Sequence, residues 1–259
     1  MTLPRVVTAE LLDHLSPHDP AAKRSRRDLL RVHRVMGTRA MLSRGWHALL
    51  RTQPSGVPLR VLELGAGDGS LLLGAAQTLS KRWPNVELSL LDRQDIVSKA
   101  TLAGFADLGW SAHVHVADVL AWAARPTGGT GGTVGTGATS SVGAAETPQW
   151  DLITASLFLH HFERRALRML LAAVASRCDR FFACEPRRSW VALAGSHMVG
   201  AIGANAVTRQ DAVLSVRAGF RGRELTAQWP HANGAWQLSE SAAGLFSHCF
   251  SARRAGARE

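Results

Sequence analysis

Two adjacent histidines, His160 and His161, close an apolar segment that begins at Trp150. The ordinary pKa of a histidine lies near neutrality, so either imidazole could take a proton from a hydroxyl or a phenol. Neighbouring residues point in different directions, so we expect only one of them to face a substrate, and we favour His161. Glu185, at the end of another apolar segment, is the alternative base. Equally, the histidines could serve only to cap the following helix, and Glu185 could be a carboxylate at a helix N-terminus.

A turn rich in glycine precedes these residues. Gly65, Gly67 and Gly69 alternate after a short apolar strand, and a helix is predicted to begin at Ser70. Glycine suits a chain that reverses sharply against a ligand, because a β-carbon would obstruct the backbone torsions. A dinucleotide fingerprint would read Gly-x-Gly-x-x-Gly, whereas here the spacing is Gly-x-Gly-x-Gly and Glu63 stands two positions before the first glycine. The turn therefore indicates a nucleotide cofactor and disfavours an oxidoreductase of the dinucleotide type.

Two further apolar segments end in carboxylates. Asp92 ends the segment 86–92, and Asp118 follows the segment 112–117. A carboxylate at the end of the second strand can accept hydrogen bonds from both ribose hydroxyls, so Asp92 is the predicted ribose ligand. An acid after an apolar run is also common as a helix cap, and it is the order of these features along the chain that indicates a site.

The ordered set, from the glycine turn to the pair Glu185 and Pro186, resembles the motifs of class I S-adenosylmethionine-dependent methyltransferases of the small-molecule type. The resemblance implies S-adenosylmethionine as the cofactor, with adenine framed by Asp118 and Val119. It also implies that the reacting methyl group lies near the strand that precedes the histidines. No metal is expected. The cofactor-binding residues predicted in this way are Glu63, Gly65, Ala66, Gly67, Gly69, Asp92, Arg93, Asp118, Val119 and Ser156.

The resemblance and the hydrophobic periodicity predict an α/β fold: a Rossmann-like, seven-stranded, mostly parallel sheet with helices on both faces. Two amphipathic helices, the first ending at Gly37, are predicted to form an N-terminal helical cap (1–52) over the cofactor edge of the main domain (53–259). The last two strands are predicted at 223–229 and 246–252, and Thr208 with Asp211 is predicted as a capping box. The Gly/Thr-rich segment 126–148 is predicted to be a flexible insertion.

Composition limits the function without deciding it. The chain of 259 residues is 46% hydrophobic, enough for one large core. Its net charge of +10 raises nucleic acid as a partner, but the basic residues are nearly all Arg, as a GC-rich coding sequence would also give. The N-terminus carries no apolar targeting segment, which favours the cytoplasm. The uncharged stretch from Ser189 to Thr208 suits a helix that lines a substrate pocket better than a membrane span.

The predicted activity is methyl transfer from S-adenosylmethionine to a small hydrophobic acceptor, phenolic or of quinone or polyketide type, by O- or C-methylation. Such a transfer is an in-line displacement, which the protein promotes mainly by positioning the two reactants. Two alternatives stay open. The Arg content favours an RNA or protein methyltransferase, and a non-catalytic S-adenosylmethionine-binding module would keep the same glycine turn. The sequence leaves the oligomeric state open.

Overall fold

The computed structural model of the chain describes residues 3–51, 57–126, 150–230 and 235–256. Within these ranges one sheet of seven strands runs in the order β3-β2-β1-β4-β5-β7-β6. The predicted insertion at 126–148 lies outside the described residues except for its first position, and so does the predicted domain boundary at residue 52. The strands are β1 (Leu59–Leu64), β2 (Val86–Asp92), β3 (Trp110–Val116), β4 (Leu152–Ser156), β5 (Arg180–Pro186), β6 (Trp236–Ala243) and β7 (Ser247–Arg254).

Strands β1 to β5 are parallel, and β7 runs antiparallel to both of its neighbours. The central strands β4 and β5 are buried along their whole length, as expected for parallel strands covered on both faces. Strand order reverses between β1 and β4, and a crevice opens at the carboxyl ends of the strands at such a point. The predicted Rossmann-like sheet is confirmed.

The helices of the described residues cover both faces of this sheet. They are α1 (Leu11–His14), α2 (Pro20–Met36), α3 (Thr38–Leu49), α4 (Ser70–Leu79), α5 (Lys99–Ala106), α6 (Val119–Ala123), α7 (Arg164–Arg177), α8 (Trp190–His197) and α9 (Ala206–Ala218). Short 3-10 turns span Leu159–His161, Val199–Ile202 and Thr226–Gln228. None of the described helices is long and apolar enough to cross a membrane.

The two predicted N-terminal helices take different positions. Gly37 separates them with a left-handed φ of 70°, as the sequence predicts. Helix α2 lies over the carboxyl edge of the sheet, where buried Asp28 accepts a hydrogen bond from the Asn205 backbone at 2.7 Å. Helix α3 does not lie over that edge; it packs against one face of the sheet, because Leu42 and Trp46 are fully buried there. The covering helices are therefore α1, α2, the uncharged α8 and α9.

Two local predictions are wrong. Residues 223–229 form no strand: Leu225 and Trp229, four positions apart, are both buried, and the segment turns helically so that both face the core. The strand beside β7 is β6 instead. Thr208 and Asp211 form no capping box, because helix α9 begins earlier and the side chain of Asn205 accepts from the Thr208 backbone at 2.8 Å.

Candidate active site

A cavity of about 590 Å³ opens at the carboxyl edge of β1, β2 and β4. The N-terminal segment of residues 8–14 and helices α2, α8 and α9 enclose it from the other side. Most of the residues predicted as site residues border this cavity, although they are spread over about a hundred positions of sequence. They are Glu63, Gly65, Ala66, Gly67, Asp92, Arg93, Asp118, Val119, Ser156, His160 and His161; Gly69 and Glu185 do not line it.

The glycine turn has the backbone that its spacing predicts. Gly65, Gly67 and Gly69 all adopt left-handed φ angles of 57–73°, which residues with a β-carbon rarely adopt. A β-carbon on Gly65 would lie 2.1 Å from the ring of Phe158, whereas one on Gly67 would meet no atom within 4 Å. Gly65 is thus required for close packing, and Gly67 presents bare backbone to the cavity.

Asp92 links the glycine turn to the second strand. Its Oδ2 accepts a hydrogen bond from the Gly67 backbone at 2.8 Å, and its Oδ1 accepts one from the Gln94 backbone at 2.9 Å. Each carboxylate oxygen can accept a second bond, so Asp92 can still receive ribose hydroxyls. Its neighbour Arg93 forms an ion pair with Asp13 at 3.0 Å and so ties the N-terminal segment to the sheet.

Asp118 caps a helix. Its Oδ1 accepts from the backbone of Leu120 and Ala121 at 2.8 and 2.9 Å, and the side chain is exposed. Val119 is buried beside it, at the cavity wall. Asp118 is therefore a helix cap, and its Oδ2 can still accept a hydrogen bond from a ligand.

Glu63 carries an unusual carboxyl group. It is only 3% exposed, and neither its Oε2 nor the Oγ of the neighbouring Ser156 has a hydrogen-bond partner among the described residues. Burial raises the pKa of Glu63 to about 7, and the nearby Ser156 hydroxyl offsets only part of that rise. A buried, unpartnered carboxylate oxygen is costly unless something cationic or hydrogen-bonding binds beside it.

Strand β4 ends in a tight turn that places the histidines. Leu157 has φ 54°, the one positive value among the described residues other than glycine. Glu185, fully buried at the end of β5, holds the turn: its Oε1 accepts from the backbone of Phe158 and Leu159 at 3.0 and 2.9 Å. Its Oε2 accepts from the backbone of His160 at 3.3 Å. Glu185 is therefore a capping carboxylate and has no access to a substrate.

His160 lies between two carboxylates. Its Nδ1 is 2.8 Å from Oε2 of Glu185, and its Nε2 is 3.2 Å from Oε1 of Glu10. Burial would lower the pKa of His160, but the hydrogen bonds to Glu10 and Glu185 outweigh it and raise this pKa to about 9. An imidazole that is already protonated cannot accept a proton, so the structure argues against His160 as the base.

His161 is the histidine that faces the cavity, with 23% of its side chain exposed. Its Nδ1 lies 3.0 Å from the carbonyl oxygen of Phe158, which can only accept, so the proton of the neutral ring belongs on Nδ1. Its Nε2 faces Glu10 and Asp13, whose carboxylate oxygens are 3.5 and 3.6 Å away. These carboxylates would stabilise the imidazolium that forms when this nitrogen takes a proton.

Sequence analysis missed the acids of the N-terminal segment. Although burial alone would raise the pKa of Glu10, its hydrogen bonds to His160 and His161 lower it strongly. Asp211 on α9 holds this segment by accepting from the backbone of Leu11 and Leu12 at 2.8 and 3.0 Å. Glu10 and His160 are 150 positions apart, so no spacing within the sequence connects them.

Comparison with known proteins identifies the fold. No protein-family model matches the sequence, and no curated protein does. Among solved structures, the plantazolicin methyltransferase BpumL, in complex with a monoazolic desmethylPZN analogue and SAH, is 13% identical with a TM-score of 0.56. The match covers 92% of this chain and 91% of that one. A putative O-methyltransferase from Nostoc punctiforme PCC 73102 is 11% identical with a TM-score of 0.51, over 97% of this chain and 64% of that one.

The pyocyanin biosynthetic protein PhzM is 17% identical with a TM-score of 0.50, over 92% of this chain and 60% of that one. At these identities the similarity is one of fold. The chain has the class I methyltransferase fold, as its motifs predict.

Proposed function

We propose that this protein transfers a methyl group from S-adenosylmethionine to a small hydrophobic acceptor, phenolic or of quinone or polyketide type, by O- or C-methylation. The observation that carries the proposal is the unpartnered Oε2 of Glu63, buried beside the glycine turn in the same cavity as Asp92. BpumL, whose structure contains SAH and a desmethylPZN analogue, and PhzM, a pyocyanin biosynthetic protein, support a small-molecule acceptor.

The residues at the carboxyl edge of the sheet fit the cofactor. The buried carboxylate of Glu63 would pair with the ammonium group of the methionine moiety. This group would give Oε2 the hydrogen-bonding partner that it has in none of the described residues. Asp92 would accept the ribose hydroxyls, and Gly67 leaves room for close approach of the ligand to the backbone. Asp118 and Val119 would frame the adenine. When bound, S-adenosylmethionine supplies a methyl group on a cationic sulfonium.

The other side of the cavity fits an apolar acceptor. Helix α2 and the 3-10 turn after α8 present aliphatic side chains to it, and α2 also contributes Ser25, Arg26 and His33. Attack of an anionic oxygen or carbon on a sulfonium cancels charge, so a poorly hydrated pocket favours the reaction. The acceptor is therefore mainly apolar with one ionisable group. The aliphatic lining from these two elements consists of Leu29, Leu30, Val32, Val35, Met36, Val199 and Ile202.

The acceptor's proton goes to Nε2 of His161. The Nδ1 of this ring is held by the Phe158 carbonyl, and Glu10 lies 3.5 Å from Nε2, where its charge stabilises the imidazolium that forms. His160 and Glu185 position this loop and take no proton. By fixing the loop they keep His161 beside the acceptor, which must align with the methyl carbon opposite the sulfur.

The test is to incubate the full chain with methyl-labelled S-adenosylmethionine and extract of the source cells, and to follow label into organic-soluble, RNA and protein fractions. We expect organic-soluble label that is lost in Asp92→Asn and in His161→Gln, with cofactor binding weakened only in the former. Label in RNA or protein would instead favour the Arg-rich surface as the substrate interface. Cofactor binding without label in any fraction would favour the non-catalytic module.

A further inference from the structure

We propose that Glu10, His160 and His161 form a binding site for a divalent transition-metal ion of the zinc class. One ligand atom from each of these residues can be chosen so that all three lie within 4.8 Å of one another. Two imidazoles and a carboxylate are a donor set that suits Zn²⁺, Co²⁺ or Ni²⁺ better than Ca²⁺ or Mg²⁺, which prefer oxygen ligands alone.

The distances within this cluster match the ligand shell of one ion. Nε2 of His160 lies 3.2 Å from Oε1 of Glu10, and Nε2 of His161 lies 3.5 Å from its Oε2. Two ligand atoms that are each about 2.1 Å from a metal, at angles of about 90–110°, are about 3.0–3.4 Å apart. Each observed nitrogen–oxygen separation is close to these values. The two distances end on different oxygens of Glu10, so its carboxylate must turn for one oxygen to complete the shell with both imidazoles.

The second nitrogen of each ring supports this assignment. A metal-binding histidine usually directs its other ring nitrogen at a carboxylate or a backbone carbonyl, which fixes the tautomer and the ring orientation. His160 directs Nδ1 at the Glu185 carboxylate at 2.8 Å, and His161 directs Nδ1 at the Phe158 carbonyl at 3.0 Å. Both Nε2 atoms therefore face Glu10, and the ion would replace the proton shared between His160 and Glu10.

The site is open on the cavity side. Three protein ligands leave a tetrahedral ion one position for water or a substrate, which is the arrangement of catalytic zinc sites. Asp13, whose Oδ2 is 3.6 Å from Nε2 of His161, borders this opening. Asp13 is already paired with Arg93, so the charge of a divalent ion would be offset by Glu10 and by Glu185, the two carboxylates in contact with His160.

The chemical consequence rests on the proposed function. A hydroxyl of the acceptor bound at the open position would have its pKa lowered by the metal. Its proton would pass to the Asp13 carboxylate, and the resulting oxygen anion would form the new bond to the methyl carbon as the bond from that carbon to sulfur breaks. In the metal-loaded protein His161 is then a ligand, and only in the metal-free protein is its Nε2 available as the base.

The first experiment measures binding of the metal alone to the full chain, without S-adenosylmethionine. Protein stripped with a chelator is titrated with Zn²⁺ against a chromophoric competitor, and Co²⁺ absorption reports the coordination geometry. We expect one equivalent to bind. Glu185→Gln, which changes the group behind His160 and the acceptor that holds its loop, should weaken binding about 10–100-fold, and His161→Gln should weaken it further. His197→Gln, at an exposed position of α8, should bind as the unmodified protein does.

Folding must be separated from ligation, because His160 and Glu185 are buried and their variants can lose stability. His161 is partly exposed, so His161→Gln is the decisive variant, and thermal unfolding in chelator checks that it is folded. Zn²⁺ should raise the Tm of the unmodified protein and not that of His161→Gln. Equal affinity in both proteins, or no stoichiometric binding, would overturn the site.

Activity then distinguishes the two proposals. Methyl transfer in the chelated protein at an unchanged rate would support the proposed function and overturn the metal's part in deprotonation. One equivalent of metal bound without methyl transfer to any fraction would support the site and overturn the proposed function.

Discussion

Replacing Glu63 with Gln should remove a pH dependence from cofactor binding. The Glu63 carboxyl is buried, and burial raises its pKa to about 7, so in the free protein it is largely protonated in mild acid. If the bound ammonium group requires the ionised carboxylate, binding must release this proton, and affinity falls as pH falls below 7. Glutamine has nearly the same shape but no charge to titrate.

The size of the effect follows from the pKa. With a pKa of about 7, about 1% of Glu63 is ionised at pH 5 and about half at pH 7, so the Kd for the cofactor should fall about 50-fold between these values. In Glu63→Gln the Kd should be weak at both values and nearly independent of pH over this range. The α-amino group of the ligand stays mostly protonated up to pH 7, so its own titration contributes little.

As pH rises, the stability of the free protein should decrease while its affinity for the cofactor increases. The pKa of Glu63 in the folded protein, about 7, lies above its ordinary value of 4.5, so the folded state holds the proton more tightly than the unfolded state. The free energy of unfolding should therefore decrease as pH rises from about 4.5 to 7. The decrease is on the order of 3 kcal/mol and is complete above pH 7. Glu63→Gln should lack this component, so its stability should decline less over the same range.

Calorimetric titration with S-adenosylmethionine at pH 5, 6 and 7 measures the affinity, and urea unfolding at the same pH values measures the stability. The control is Ser156→Ala, which keeps the titrating carboxyl group and should therefore keep the pH dependence, displaced to higher pH because the hydroxyl lowers the pKa of Glu63. A wild-type Kd that does not change with pH, or an equal slope in Glu63→Gln, would refute the pairing of Glu63 with the cofactor.

Three further outcomes are expected. His161→Gln should lower kcat about 10²–10⁴-fold with little change in cofactor Kd, as single-turnover and binding assays can show, because general-base catalysis is typically of this size. Asp92→Asn should weaken cofactor binding at least about tenfold in the same titration, since two charge-assisted acceptors are lost, and unchanged binding would exclude the ribose role. Gly65→Ala should lower the free energy of unfolding, measured in urea, by about 1–3 kcal/mol. The added β-carbon would overlap the Phe158 ring, and the backbone has φ 66°. Gly37→Ala is the matched control for backbone strain alone, because Gly37 has a similar φ and a β-carbon there would meet no atom within 4 Å.

Local patterns in the sequence were enough to predict the sheet and half of the site. Gly65, Asp92 and His161 belong to segments whose periodicity and order place them at strand ends, and parallel strands bring such ends to one edge. The glycine spacing also predicts the positive φ angles that the turn adopts. These features depend on residues close in sequence, so they can be read without a structure.

The other half of the site depends on contacts between distant segments. Glu10 reaches the histidines because Asp211, 200 positions from Leu11, caps the short helix that follows Glu10, and because Arg93 pairs with Asp13. The spacing of Thr208 and Asp211 suggests a local capping box, whereas in the fold Asp211 binds the backbone of this distant segment. The strand predicted at 223–229 is wrong because its apolar residues, four positions apart, both reach the core through a helical turn. The strand that lies beside β7 is the amphipathic β6.

The wall formed by the N-terminal segment has a consequence for the rate at which ligands enter and leave. Helix α1 has no buried residue. Polar contacts hold the segment: Asp211 on α9 accepts from Leu11, Glu10 contacts His160, and Asp13 pairs with Arg93. Separating such polar contacts exposes no core, so this segment can open at a free energy far below that of global unfolding. Product escape through that opening would then limit turnover, and amide hydrogens of residues 8–14 would exchange ahead of those in β4 and β5.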